Sequence, residues 1–306
     1  MFNTPILFII FNRPDTTIRV FEEIRKQQPR QLFIAADGQR PNRPGEAALS
    51  EESRRIALNI DWPCEVKTLF REKNLGCGKA VSSAITWFFE NVEEGIILED
   101  DCLPHPDFFR FCIEMLECYR HDNSIMHIGG GNFQNGKNIE HSSYYFSQIA
   151  HVWGWASWRR AWKLYDFNIT DFLVFCKSSR FPFSDDTFVN EKLMKIYADV
   201  HNGKIDTWDY QWTFSIQCNK GFTIIPKGNL VSNIGFGCSA THTKDENSKN
   251  SCIPITNLDF PLKHPRRIKM NKSADLRFYR KEYNYKPITR RLLEKIKSIT
   301  KRIILK

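Results

Sequence analysis

The chain has 306 residues, 42% of them hydrophobic and 26% charged, which suits one large buried core and excludes a disordered polypeptide. No apolar run approaches the roughly 20 residues that cross a bilayer. The nine cysteines, odd in number and without a CxxC pair, read as reduced thiols rather than a disulfide framework or a structural zinc site. The net charge of +9 is uneven: residues 263–306 hold 16 Lys and Arg against 3 Asp and Glu, so the body of the chain is slightly acidic and nucleic acid is not an expected partner.

The chain opens almost at once on Ile6-Leu-Phe-Ile-Ile-Phe11, the pattern of a buried strand. Its start has neither the basic segment nor the cleavage site of a secretory leader, so a cytoplasmic location is expected. Pro14 and Asp15 open a helix carrying Ile18, Phe21 and Ile24 at helical spacing. Leu32-Phe-Ile-Ala-Ala36 reads as a second buried strand that stops at Asp37-Gly38. A polar loop leads to a helix near 50–58, and 64–70 predicts a third, more exposed strand. Residues 78–91 read as a helix with Val81, Ile85 and Phe88 inward, and 95–98 as the fourth strand. This alternation predicts an α/β fold with a mostly parallel central sheet flanked by helices. Beyond it come a helix with Phe108, Phe111, Cys112, Met115, Leu116 and Tyr119 on one face, and a strand at 124–128 broken by Gly129-Gly-Gly131. An aromatic stretch at 151–162, a helix starting within 207–212, a strand at 221–226 and a polar loop at 239–251 follow, without internal repeats.

The fourth strand runs into Glu99-Asp100-Asp101, with Pro106 and Asp107 marking a helix start just after. Three adjacent carboxylates repel one another and are costly to bury unless a cation or hydrogen-bond donors compensate. At the carboxyl end of a strand in an open α/β sheet they stand where ligands bind; a solvated acidic loop is the plainer alternative. Asn12-Arg13-Pro14 and Asp37-Gly38 end the first two strands on the same edge. Residues 70–79, FREKNLGCGK, set Arg71, Lys79 and flexible backbone before a helix, an arrangement suited to an anionic phosphate. The chain has no GxxxxGK[ST] loop and no GxGxxG after the first strand, so P-loop and ordinary dinucleotide-binding readings lose their main support.

Taken in order, NRP after the first strand, ADG after the second, REKNLGCGKA before a helix and LEDD followed by PDFF resemble the GT-A fold of nucleotide-sugar glycosyltransferases. The set is most similar to the inverting N-acetylglucosaminyltransferase I type, with its EDD version of the DxD motif, and the resemblance spans roughly residues 5–242. It implies that Asp101 coordinates Mn2+ or Mg2+ bridging a donor diphosphate, a hard cation with few protein ligands. It implies that Asp100 faces the donor ribose, Glu99 the sugar and Asp37 an N–H of the base. Asn12 and Arg13 lie beside the nucleotide, and Arg71 and Lys79 are candidates for the diphosphate, with surface solvation as their plain alternative. Trp208-Asp209-Tyr210-Gln211-Trp212 is similar to the family's W-D-D-W segment, although Tyr210 stands where the second acid is expected. The resemblance makes Asp209 the general base, with Asp206 as fallback. His242, in a loop similar to the one that folds over the nucleotide-sugar, is implied to reach the diphosphate or the metal.

Within the cluster Trp153, Trp155, Trp158 and Trp162, sugar stacking and core packing compete; Gly154-Trp155 is assigned to the site and Trp158 and Trp162 to the core. His151 is read as a hydrogen-bonded structural residue. At the end of the chain Leu292, Ile296, Ile299 and Ile303 share one helical face amid Lys and Arg, which suits an anionic membrane surface or packing on protein. The expected organisation is a GT-A domain over residues 1–262 and a basic segment with an amphipathic helix over 263–306. The expected activity is metal-dependent, inverting transfer of a sugar from a nucleoside-diphosphate sugar, UDP-linked by resemblance, to a glycan or lipid-linked hydroxyl in bacterial surface-glycan synthesis, in the cytoplasm or on the inner membrane face. A sugar-nucleotide pyrophosphorylase is the nearest rival enzyme, disfavoured because Phe11-Asn-Arg-Pro14 is not a glycine-rich loop; a non-catalytic carbohydrate- or lipid-binding protein on the same fold is the other.

Overall fold

The computed structural model describes residues 2–134, 141–177, 183–236, 253–283 and 285. The strands and helices β1 (Ile6–Ile10), α1 (Pro14–Gln27), β2 (Gln31–Ala36), α2 (Glu46–Ala57), β3 (Glu65–Phe70), α3 (Cys77–Asn91) and β4 (Glu94–Glu99) follow the predicted alternation. After them come β5 (Cys102–Pro104), α4 (Pro106–Cys118), β6 (Ile125–Gly129), β7 (Tyr144–Ser147), β8 (Trp155–Trp158), α5 (Arg159–Trp162), α6 (Phe172–Cys176), α7 (Thr187–His201), α8 (Asp209–Cys218), β9 (Phe222–Pro226), β10 (Val231–Asn233) and α9 (Lys272–Glu282).

The main sheet has eight strands in the order β3-β2-β1-β4-β8-β6-β9-β7, and β5 pairs separately with β10. β1 lies parallel to both β2 and β4, β2 to β3, and β6 to β9. Only β8, inserted antiparallel between β4 and β6, and β7 at the edge run against the rest, so the sheet is mostly parallel as expected. Period-2 alternation divides the apolar strands between two cores. Ile6, Phe8 and Ile10 face α1 and α4 through Phe21, Ile24, Phe108 and Met115, while Leu7 faces α3 and α8 through Ile85, Phe88 and Trp212. The exposed residues of β3 mark it as the other edge. Pro14 at the first turn of α1 and Pro106 at that of α4 start those helices as the sequence indicates, with the His105 ring accepting the Asp107 N–H at 3.2 Å.

The boundary expected at 262/263 is not a domain boundary. Met270 bridges to Phe146, Asp275 accepts hydrogen bonds from Ser147 Oγ at 2.7 Å and Gln148 N–H at 3.0 Å, and Tyr279 is buried in a third core with Leu193, Tyr197 and Phe214. The basic stretch 263–283 is built into the same domain because its apolar residues close the open end of α7 and α8. The amphipathic segment 287–306 lies outside the described residues, and among the described helices none is long and apolar enough to cross a membrane.

The chain moves from β1 to one side, through β2 and β3, and then returns to place β4 on the other side. That reversal opens a crevice at the carboxyl ends of β1 and β4, the topological switch point where open α/β sheets take ligands.

Candidate active site at the switch point

The two strands deliver opposite charges to the crevice. Phe11, just past β1, donates its N–H to Asp100 Oδ2 at 2.9 Å, and Arg13 donates from Nη1 to Asp101 Oδ2 at 2.9 Å and from Nη2 to Asp100 Oδ1. Asp100 and Asp101 are 2% and 7% exposed, so this guanidinium is what makes their burial tolerable. Burial holds the Asp100 carboxyl above the usual carboxylate range even against Arg13, and burial together with Asp101 and Asp100 pushes Glu99 up as well. Burial works against the Arg13 charge, but Asp100 and Asp101 outweigh it and hold the pKa above the ordinary arginine value.

Around this pair opens a cleft of about 390 Å3, lined by Asn12, Arg13, Asp37, Arg40, Arg71, Cys77, Glu99, Asp100, Asp101, Trp153, Asp206, Asp209 and Asn233 among others. Its carboxylates outnumber its guanidiniums, and Cys77 sits among them. Burial pushes that thiol up, and Glu99, Asp209, Asp206 and Asp101 each push it further. Asp209, in the first turn of α8, lines the same cleft as the β4 acids, and Thr207 Oγ1 donates to its Oδ1.

Not every predicted residue reaches the cleft in the expected role. Asn12 donates from Nδ2 to Glu46 Oε2 at 3.0 Å, and the same carboxylate holds Arg40, a cleft residue the sequence reading passed over. Asp37 lines the cleft but accepts the backbone N–H groups of Leu75 at 3.0 Å and Gly38 at 2.9 Å, so it fastens the loop before α3. Burial raises its pKa despite those donors. Arg71 lines the wall and donates from Nη2 to Ser83 Oγ at 2.8 Å. Lys79 is exposed on α3 and does not line the cleft.

The expectation of an open helix N-terminus for phosphate is corrected in the same place. Asp206 accepts from the Cys77 N–H at 3.1 Å and the Gly78 N–H at 2.9 Å. The free amides and positive end of α3 have drawn an internal carboxylate, and Asp206 is engaged there rather than poised as a base.

Trp155 is also corrected. β8 is an interior strand covered on both faces, and Trp155 is 0% exposed, 5.7 Å from Trp208, 6.1 Å from Trp162 and 6.2 Å from Trp212 between ring centroids. Trp158 and Trp162 are buried as expected. The half-buried indole that lines the cleft is Trp153, with the buried Trp208 beside Asp209 in the same lining. Between Trp153 and Trp155, Gly154 has φ +61°, and a Cβ there would lie 2.8 Å from a Val231 methyl, so the backbone turn separating a cleft indole from a core indole needs glycine.

Beneath this turn runs a buried polar tie that sequence reasoning missed. Trp212 Nε1–H, which can only donate, reaches His127 Nδ1 at 3.2 Å. The His127 proton is thereby assigned to Nε2, which donates to the His151 carbonyl at 3.2 Å. Burial pushes His127 down to about 3, so the imidazole is neutral. The tie connects α8, which carries Asp209, with the segment that carries Trp153. His127 sits alone in an apolar strand, and its partners lie 24 and 85 residues away, which leaves no local signal.

The β5–β10 pair brings another segment to the acids. Ile234 N–H donates to the Asp101 carbonyl at 2.8 Å, and Gly235 packs so closely on the Arg13–Asp101 pair that a Cβ would overlap both. His242 lies outside the described residues. A divalent cation suits this chemistry: hard carboxylate oxygens, a surplus of negative charge, and Asp101 in the cleft lining. Among the described residues no group of three or more His, Cys, Asp or Glu closes around an ion. A cation would thus take Asp101, shared with Arg13, and draw its other oxygens from phosphate or water.

No protein-family model matches the chain, and no curated protein sequence matches it. Solved structures that superpose on it include HddC from Yersinia pseudotuberculosis, at 11% identity and TM-score 0.32 over 51% of this chain and 77% of that one. They also include a UDP-glucose pyrophosphorylase complexed with UDP-glucose, at 12% identity and TM-score 0.34 over 74% of this chain and 90% of that one. Similarity at that level assigns no activity to this chain.

Proposed function

We propose that this chain is a GT-A-type glycosyltransferase that moves a sugar from a nucleoside-diphosphate sugar, UDP-linked in our reading, to a hydroxyl with inversion at the anomeric carbon. One observation carries the reading: Asp209 on α8 lines the same cleft as the Glu99–Asp101 acids and Arg13, at the β1/β4 switch point. In this reading the donor diphosphate lies beside Arg13 and Asp101, with the nucleoside toward Asp37 and Asn12 and the sugar toward Glu99. A Mn2+ or Mg2+ ion held by Asp101 would supply charge stabilisation for the leaving diphosphate.

Asp209 takes the proton from the acceptor hydroxyl. The hydroxyl oxygen forms its bond to the anomeric carbon from the face opposite the diphosphate. The bond from that carbon to the phosphate oxygen breaks, and its electron pair leaves with the nucleoside diphosphate. Arg13, preorganised by two carboxylates, meets the negative charge that develops there. Trp153 and the buried indoles behind it keep that side of the cleft dry.

Thermal unfolding with UDP, GDP and CMP, each with and without Mn2+, tests the reading. One nucleotide is expected to stabilise the wild type in a Mn2+-dependent way, by about 2.7 kcal/mol at 100 times its Kd, and Asp101→Ala to lose the effect. Asp209→Asn is expected to keep the stabilisation while transfer, followed as release of nucleoside diphosphate, falls roughly 10²–10⁴-fold. Stabilisation by no nucleotide, or release of pyrophosphate instead of nucleoside diphosphate, overturns it.

A further inference from the structure

A second cavity, about 160 Å3, adjoins the cleft and shares Val152, Trp153 and Asp209 with it. The shared carboxylate therefore addresses two spaces. Ligand pockets for drug-sized molecules run to roughly 300–1,000 Å3, so the smaller space suits one ring rather than an extended chain.

Its walls are aromatic and, among the described residues, its charged groups are acidic. Phe133 and Phe278 stand 5.7 Å apart between ring centroids, with the His151 ring 4.5 Å from the first and 4.7 Å from the second. Tyr283, following α9, and Tyr210 extend the aromatic lining, and Glu282 joins Asp209 as the second carboxylate. Burial pushes His151 down to about 3, so its ring is neutral, and among the described residues no Lys or Arg lines the cavity. A pyranose offers apolar C–H faces to aromatic rings and hydroxyl protons to carboxylates. A phosphate or carboxylate group would meet the like charges of Asp209 and Glu282 there.

We propose that this second cavity is the acceptor subsite, that it takes one neutral pyranose ring at the end of a glycan, and that Phe278 and Tyr283 are its specificity-determining walls. The link to transfer rests on the glycosyltransferase reading above; the binding of the ring does not. The consequence is that the basic C-terminal stretch, through α9, helps to choose the acceptor, and that a lipid phosphate lies outside this cavity.

The test is saturation-transfer difference NMR on the full chain with UDP and Mn2+ present. The probes are methyl glucoside, methyl galactoside and methyl N-acetylglucosaminide, with methyl glucuronide and glucose 6-phosphate as anionic counterparts. At least one neutral glycoside is expected to receive saturation on its ring protons, with the anionic probes at background. Phe278→Leu and Tyr283→Leu, which keep apolar bulk without an aromatic face, are expected to cut that signal at least fivefold while the uridine signal stays unchanged. No neutral signal, an equal signal from the anionic probes, or a neutral signal that survives both substitutions overturns the proposal. A sugar signal without a uridine signal leaves this cavity standing and removes the donor reading instead.

Discussion

The two halves of the sheet hold their polar groups in different ways. In the leading half, β3-β2-β1-β4, the polar groups at the strand ends are charged, and charge answers charge: Arg13 from β1 holds Asp100 and Asp101 from β4. In the trailing half, β8-β6-β9-β7, two buried polar groups are tied without an opposite charge, His127 of β6 to Trp212 and Ser147 of β7 to Asp275, while the buried Nε1–H groups of Trp155 and Trp158 have no partner among the described residues. The first arrangement leaves a charged cleft for a ligand, whereas the second builds a stiff aromatic wall that positions Asp209 and Trp153. Reactive geometry here is made by setting a charged edge against a neutral one, and each half can be broken separately.

The largest effect is expected from Arg13→Ala. Removing one partner of a buried ion pair leaves uncompensated charge and typically costs about 3–5 kcal/mol. Arg13 answers two carboxylates that are nearly fully buried, so denaturant unfolding should place the loss in that range. A loss below about 1 kcal/mol would mean that water, not Arg13, already solvates Asp100 and Asp101, and the contrast between the halves would fail on its charged side.

Asp275→Asn tests the neutral side through pH. Asp275 is buried, and burial raises its pKa from 3.8 to about 6, with Ser147 and the Gln148 N–H pulling the other way. Since the folded value lies above the unfolded one, the folded state holds the proton more tightly. Its contribution is fully present below about pH 4 and is lost as pH rises through about 6. A displacement of that size corresponds to about 3 kcal/mol. Wild-type stability relative to Asp275→Asn should fall by that order between pH 4 and 7, and parallel curves would show that Asp275 stays solvated.

How much of this was legible in the sequence follows the same division. Strands β1, β2 and β4 are continuous apolar runs in a regular strand–helix alternation, so Ile6–Phe11, Leu32–Ala36 and the run before Glu99 announced both their burial and the edge on which Arg13, Asp37 and Asp101 gather. In the trailing half β8 is inserted between β4 and β6, which no local pattern encodes. Trp155 was therefore drawn into the site by its neighbour Trp153, when period-2 alternation along an interior strand sends it to the core. The N-terminus of α3 misled for a related reason: its flexible glycines and flanking basic residues advertise an anion, and the anion is Asp206, 128 residues away from Gly78.

Trp212→Phe should have a smaller effect than either charge change. It keeps the aromatic packing, removes the N–H that reaches His127, and leaves a buried Nδ1 without its donor, a cost of about 1–3 kcal/mol. Because α8 carries Asp209, transfer should slow beyond what the stability loss explains, with nucleotide stabilisation unchanged. Equal rates in variant and wild type would confine the tie to folding.

The smallest effect is expected from Asp206→Ala, and it separates the two uses of acid in the cleft. Losing a side-chain cap costs about 0.5–2 kcal/mol, and Asp206 caps α3 through two amides, Cys77 and Gly78, while remaining itself exposed. The variant should unfold about 1 kcal/mol earlier and keep most of its transfer rate, in contrast to Asp209→Asn. Freed of its carboxylate, the end of α3 presents bare N–H groups to the cleft, and inorganic phosphate should then stabilise Asp206→Ala more than the wild type. If instead Asp206→Ala loses transfer as fully as Asp209→Asn does, the acid at the helix end is part of the reacting set, and the division between capping and proton transfer drawn between Asp206 and Asp209 must be redrawn.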